Sequence, residues 1–147
     1  MNTDLDLITR FLAGDRRPIA IDSNPLATLL GGQLLEADAK GMVSLSFEPP
    51  ALFVQGAGVL QGGTVATMLD FAMAFAALSA LPTGKTCATA SFTTNLLKPA
   101  APGKYLARGT VDRMGSQVAF VSAVLQRADN QQTVATASSV MPIVQLK

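Results

Sequence analysis

Between Val59 and Leu81 the chain reads VLQGGTVATMLDFAMAFAALSAL: a Gly-Gly pair, then a run that is apolar on nearly every helical face and holds one carboxylate, Asp70. A helix of that kind has no polar side to offer water, so the rest of the chain has to wrap it. The glycines put its start near residue 62 and LPTGK breaks the chain behind it, which predicts a helix over about 62–81. It is rich in alanine, carries Asp70 and Thr67, and at about 18 helical residues barely reaches the length of a membrane span. It reads as a core helix, and no membrane partner is expected.

The wrapping material shows period two. Val43, Leu45 and Phe47 alternate with Ser44 and Ser46, and the turn at residues 38–41 makes 33–47 a hairpin. Beyond the helix, four strand-like runs at 86–97, 104–112, 118–127 and 133–140 are joined by short turns, so neighbours should be antiparallel. The first run alternates Ala88, Ala90, Phe92 and Leu96, the expected core face, with Thr89, Ser91, Thr93 and Asn95. Two short helices precede the hairpin. One spans 3–13, with Thr3 as N-cap and Gly14 as stop; the other spans 25–30, with Asn24 as N-cap, Pro25 at its first position and Gly31 as stop. The expected fold class is α+β, a curled antiparallel sheet of five or six strands around one long central helix, in a single domain over 1–147.

Eleven basic against ten acidic residues give a net charge of +1, with no basic stripe, so no nucleic-acid partner is expected. Only 14% of the chain is charged and 49% is hydrophobic, more apolar surface than one small protomer can hide, which favours a homo-oligomer. The acidic N-terminus has no secretory pattern and the single cysteine, Cys87, has no intrachain partner; both point to a cytoplasmic protein, with Cys87 a small core residue. The sequence has no histidine, which removes Ser-His-Asp triads, Cys-His pairs and most metal sites. No metal is expected, and catalysis has to come from carboxylates, hydroxyls, amides or backbone.

Asp70 lies well inside its helix, among Leu69, Phe71, Met73 and Phe75. It is expected to be buried, and burying an unpaired carboxylate is costly enough to suggest a functional role. At the helix start the amides near Gly62 and Gly63 point outward at the positive end of the dipole, where a developing oxyanion can be held. Eight residues at ~1.5 Å each separate Gly62 from Asp70 by roughly 12 Å along the axis. One reacting carbonyl cannot touch both in the same chain, so a joint site requires two antiparallel helices from two chains, at a two-fold dimer interface.

The runs PLATLLGGQLLEADAKGMVSLSFEP, GVLQGGTVATMLDFAMAFA, TTNLLKPAAPG and GTVDRMGSQVAFVSAVLQ, which span most of the chain after residue 24, resemble the hotdog-fold acyl-CoA thioesterases of the phenylacetate-degradation (PaaI-like) branch, relatives of 4-hydroxybenzoyl-CoA thioesterase. The resemblance implies a hotdog fold and a homodimer with a composite site, assembled into a homotetramer as a dimer of dimers. It implies hydrolysis of an aryl or short-to-medium acyl-CoA, with coenzyme A as part of the substrate and no separate cofactor. Asp70 matches the catalytic carboxylate, acting as general base or as nucleophile, and Gly62 the glycine whose N–H polarises the thioester carbonyl. Gln55 falls where relatives carry an amide that helps hold that carbonyl or the water, and Thr89 where some carry a hydroxyl that orients the water. Gln61 departs from the family's usual histidine; its amide still donates a hydrogen bond but does not change protonation near neutral pH. Lys98, Arg108 and Arg113 are the cations at strand ends or turns available to coenzyme A phosphates. The departure at Gln61 sustains an alternative expectation, a non-catalytic hotdog protein that binds acyl-CoA or a hydrophobic small molecule.

Overall fold

The computed structural model describes residues 2–146. Helix α1 (Thr3–Ala13) is capped by Asn2, whose side-chain oxygen accepts from the amides of Asp4 and Leu5, both at 3.1 Å. Thr3 is therefore not the cap; its hydroxyl donates to the Ser23 carbonyl instead. Gly14 ends α1 as expected. After the two-residue strand β1 (Ile19–Ala20), helix α2 (Pro25–Leu29) starts on its Asn24 cap and stops before Gly31, whose φ of 65° suits glycine.

Strands β2 (Gln33–Ala37) and β3 (Met42–Phe47) form the hairpin. The central helix α3 (Gly62–Ala80) follows, then β4 (Lys85–Cys87), β5 (Ser91–Leu96), β6 (Tyr105–Met114), β7 (Val118–Arg127) and β8 (Thr133–Gln145). All pairings are antiparallel, in the order β1, β2, β3, β6, β7, β8, with β4 and β5 both lying along the far edge of β8. The eight strands exceed the expected five or six for two reasons. β1 is too short to show a period, and the expected strand over 86–97 is two strands separated at residues 88–90.

That separation is a one-residue insertion. Cys87 lies opposite Ile143 and Ser91 opposite Val140, so four steps on the edge strand face three on β8. The insertion swaps the faces: Cys87 points inward, whereas beyond the break Phe92, Thr94 and Leu96 lie opposite inward Ser139, Ala137 and Ala135.

Helix α3 lies in the curl of the sheet, with Met68, Leu69, Ala72, Met73, Phe75 and Ala76 fully buried. Among the described residues it is the one helix long and apolar enough to cross a membrane, and most of it is enclosed by the sheet. Gly109 on β6 lets the two backbones meet: a Cβ there would stand 2.0 Å from the Ala72 carbonyl oxygen. Helix α1 covers another side of α3 with Leu7, Ile8 and Phe11. The edge strand β5 overhangs this core, so Phe92 and Leu96 remain 39% and 56% exposed, contrary to the expectation that this face is buried.

Candidate active site

The approach to α3 is a tight loop closed by a Val54–Leu60 bridge. The Gln55 amide donates to Val59 O at 2.8 Å, Gly58 N donates to Gln55 O at 2.9 Å, and Gly58 takes a φ of 77°. The Gln55 side-chain oxygen accepts from Ala57 N, which leaves its NH2 group as the free end. Gln61 forms the helix cap through its backbone carbonyl, which accepts from Thr64 N and Val65 N; its exposed side chain makes no capping bond. The Gly62 and Gly63 amides, which begin the helix, have no acceptor among the described residues. They are the orphan donors of a helix start.

Gln55 and Gly62 line one cavity of 350 Å³ together with Lys98, Val65, Leu96 and Ala100. Gln55, Gly62 and Lys98, all three expected site residues, thus come together. Leu96 and Ala100 join them without a signal in the sequence: KPAAPG reads as a turn, and nothing there shows that it folds back over the helix start.

Asp70 is half-buried rather than buried. Leu69 beside it points into the core, but Asp70 shares with Ala66, Thr67 and Ala74 a half-open stripe of α3. Thr89 Oγ1 donates to Asp70 Oδ1 at 2.7 Å, and Oδ2 has no partner among the described residues. Thr89 lies at the break between β4 and β5, on the inward face it shares with Cys87, and this turns its hydroxyl towards the helix.

The remaining candidates lie elsewhere. Arg108 sits on the outer face of the sheet, away from α3, between Ser44 and Val124 in the cross-strand row. Arg113, opposite the exposed Phe120, is also outside the Gly62 cavity. Phe75 belongs to the core, whereas Phe71 is half-buried with its ring centroid 6.0 Å from that of Phe47. Cys87 is buried, and burial pushes its thiol up to about 11.

Within one protomer the site is in two halves: a cavity with donors at the helix start, and a carboxylate with its hydroxyl partner about two turns on. Residues 57–134, which include both halves apart from Gln55, match the family model of the thioesterase superfamily. The chain belongs to this superfamily.

Solved structures with the hotdog thioesterase fold agree with that assignment. A phenylacetic acid degradation-related protein of Ralstonia eutropha JMP134 is 27% identical over 92% of this chain and 98% of its own, with a TM-score of 0.78. The PaaI protein of the E. coli phenylacetic acid degradation operon is 18% identical over 99% and 96% of the two chains, with a TM-score of 0.76. Streptococcus mutans UA159 smu.793, solved bound to acetyl CoA, is 22% identical over 78% and 89%, with a TM-score of 0.70. No curated protein sequence matches the chain. The superfamily supports thioester hydrolysis as the general activity, on a PaaI-like hotdog scaffold.

Proposed function

We propose that the protein hydrolyses an acyl-CoA thioester, with an aryl or short-to-medium acyl group, at a composite site shared by two chains. The observation that carries this reading is the Thr89–Asp70 hydrogen bond on the open stripe of α3. It fixes one carboxylate oxygen and leaves the other free, at a place where a second helix can approach over Ala66, Thr67 and Ala74.

The partner completes the chemistry. Among the described residues strand β5 has no neighbour on its outer edge, and a second β5 added there antiparallel extends the sheet and brings the partner's helix towards Phe92 and Leu96. The two α3 helices then run antiparallel, and Asp70 of one chain faces the helix start of the other. Asp70 takes a proton from water as the water oxygen bonds to the thioester carbon. The carbonyl oxygen gains negative charge and is held by the Gly62 N–H and the Gln55 amide, with Gln61 beside them as a further donor. The C–S bond breaks, coenzyme A leaves as thiolate, and the acid is released. Direct attack by Asp70 through an anhydride uses the same groups, with water entering at the second step.

Lys98 stands at the cavity to meet a phosphate or pantetheine carbonyl of coenzyme A, and the acetyl CoA held by the S. mutans protein supports an acyl-CoA ligand. Two such dimers pair to form a tetramer. The exposed Gln61 keeps a second reading in play, ligand binding without turnover. Thiol release from a panel of aryl-acetyl, hydroxybenzoyl and alkyl CoA thioesters separates the two. The expected result is cleavage of at least one by the wild type and a loss of about 10²–10⁴-fold in Asp70→Asn, the usual reach of general base catalysis. Equal turnover by that variant refutes the assigned role of Asp70; binding without any thiol release supports the second reading.

A further inference from the structure

The wall of the Gly62 cavity is not held by the helix it serves. Residues 97–104 cross from β5 to β6, and Lys98, Pro99 and Ala100 from this crossing line the cavity. The Ala100 carbonyl accepts the Leu60 amide at 2.8 Å, two residues before Gly62. The placement of the Gly62 N–H therefore depends on where Ala100 stands.

The next residue is clamped from below. The Ala101 carbonyl accepts from the Tyr105 hydroxyl and, at 3.3 Å, from Arg127 Nη1. The same guanidinium binds Asp129 in a fork, Nε to Oδ1 at 3.0 Å and Nη2 to Oδ2 at 2.7 Å, and lies 5.7 Å from the Tyr105 ring centroid. Its side chain is only 18% exposed, against 61% for Asp129. Gly103 makes room for it: a Cβ there would stand 3.2 Å from Nη2, and its φ of 147° disfavours other residues. The backbone closes the far end, where Ala128 N donates to Lys104 O at 2.9 Å. A planar cation with fixed donor directions can hold a carboxylate and a carbonyl together, which an ammonium does poorly.

We infer that Arg127 is a positioning residue for thioester hydrolysis: by holding Ala101 it fixes the cavity wall at residues 98–100 and, through Ala100 and Leu60, the Gly62 donor. This rests on the proposed thioesterase reading for its effect on rate, but not for its effect on Leu60. Arg127→Met keeps the apolar stem and removes the fork. The expected result is a kcat about 10–100-fold lower with KM within about threefold, since a small misplacement of a catalytic group has that reach. Exchange of the Leu60 amide with solvent should speed up about tenfold or more as its acceptor loosens. Arg127→Lys should not restore kcat, whereas Asp129→Asn, which leaves the Ala101 contact in place and keeps an acceptor oxygen for the guanidinium, should stay within about tenfold of wild type and lose less than Arg127→Met. If Arg127→Met fails to fold, Tyr105→Phe removes the other donor to Ala101 and should shift kcat and Leu60 exchange in the same direction.

An unchanged kcat in folded Arg127→Met overturns the inference, as does a rate loss that only tracks the unfolded fraction while Leu60 exchange stays at the wild-type value. If wild type cleaves no thioester, the functional reading fails, and Leu60 exchange alone decides whether Arg127 sets the helix start.

Discussion

Gly62 offers a way to delete a single backbone donor. It is the first residue of α3, its N–H has no acceptor among the described residues, and proline is well tolerated at that position because the missing N–H makes no helical bond. Proline restricts the residue before it to extended conformations, and Gln61 already has φ −57° and ψ 137°. The nearest obstacle to a new Cβ is Leu96 Cδ1 at 3.0 Å, the tip of an exposed and flexible side chain. Gly62→Pro should therefore change stability by less than about 1 kcal/mol, the size of a compatible proline substitution. Removal of one oxyanion donor costs about 10²–10³ in kcat, or ~2.7–4 kcal/mol of transition-state stabilisation. Thiol release at saturating substrate, with a urea melt as control, measures both quantities. A folded Gly62→Pro protein with wild-type kcat refutes the assignment of this amide. Mixing the variant with Asp70→Asn tests the shared site as well. A mixed dimer has one site with both defects and one with neither, so an equal mixture should recover about a quarter of wild-type activity if the halves come from different chains. If both halves of each site belong to one chain, every site stays defective and nothing is recovered.

Two stability predictions follow from the packing. Gly109→Ala forces a methyl against the Ala72 carbonyl and should cost about 3 kcal/mol or more, a Tm fall of roughly 6–12 °C, whereas Gly63→Ala, with nothing within 4 Å of the new carbon, should cost nothing measurable by the same thermal melt. Cys87 keeps its proton to about pH 11 when folded against an ordinary value of 9.0, so the unfolded chain gives up that proton first and stability falls as pH rises from 9 towards 11. Urea midpoints at pH 8 and pH 10 should show the fall, and Cys87→Ala should reduce it.

The period-two runs and the all-apolar helix were legible in the sequence because each is a local pattern with one physical solution: a helix without a polar face needs a sheet around it. The 118–127 run becomes β7 with the same limits, and the hairpin and the Gly62 helix start appear where the residues placed them. Strand β8 runs on to Gln145 because it is held by β7 on one side and β4 on the other, a tertiary effect that overrides the expected stop at Val140. The exposure of Phe92 and Leu96 could not be read locally. Alternation fixes which face of a strand these residues share, but not whether the helix reaches far enough to cover it.

The contact between Thr89 and Asp70 shows where pattern reading stops. An unbroken strand over 86–97 places Thr89 on the face opposite Phe92, turned away from α3, and on that register it has no path to the carboxylate. The structure resolves the conflict with one inserted residue, which lets Thr89 keep the inward face of Cys87 while Phe92 beyond the break lies on that face as well. Small residues such as Ala88 and Ala90 permit an insertion but do not announce it, since the same composition fits a regular strand. Thr89 there makes a charge-assisted bond to Asp70, the kind of hydrogen bond that contributes about 1.5–3 kcal/mol. The hydroxyl next to the break in the sheet is thus tied to the one carboxylate of α3.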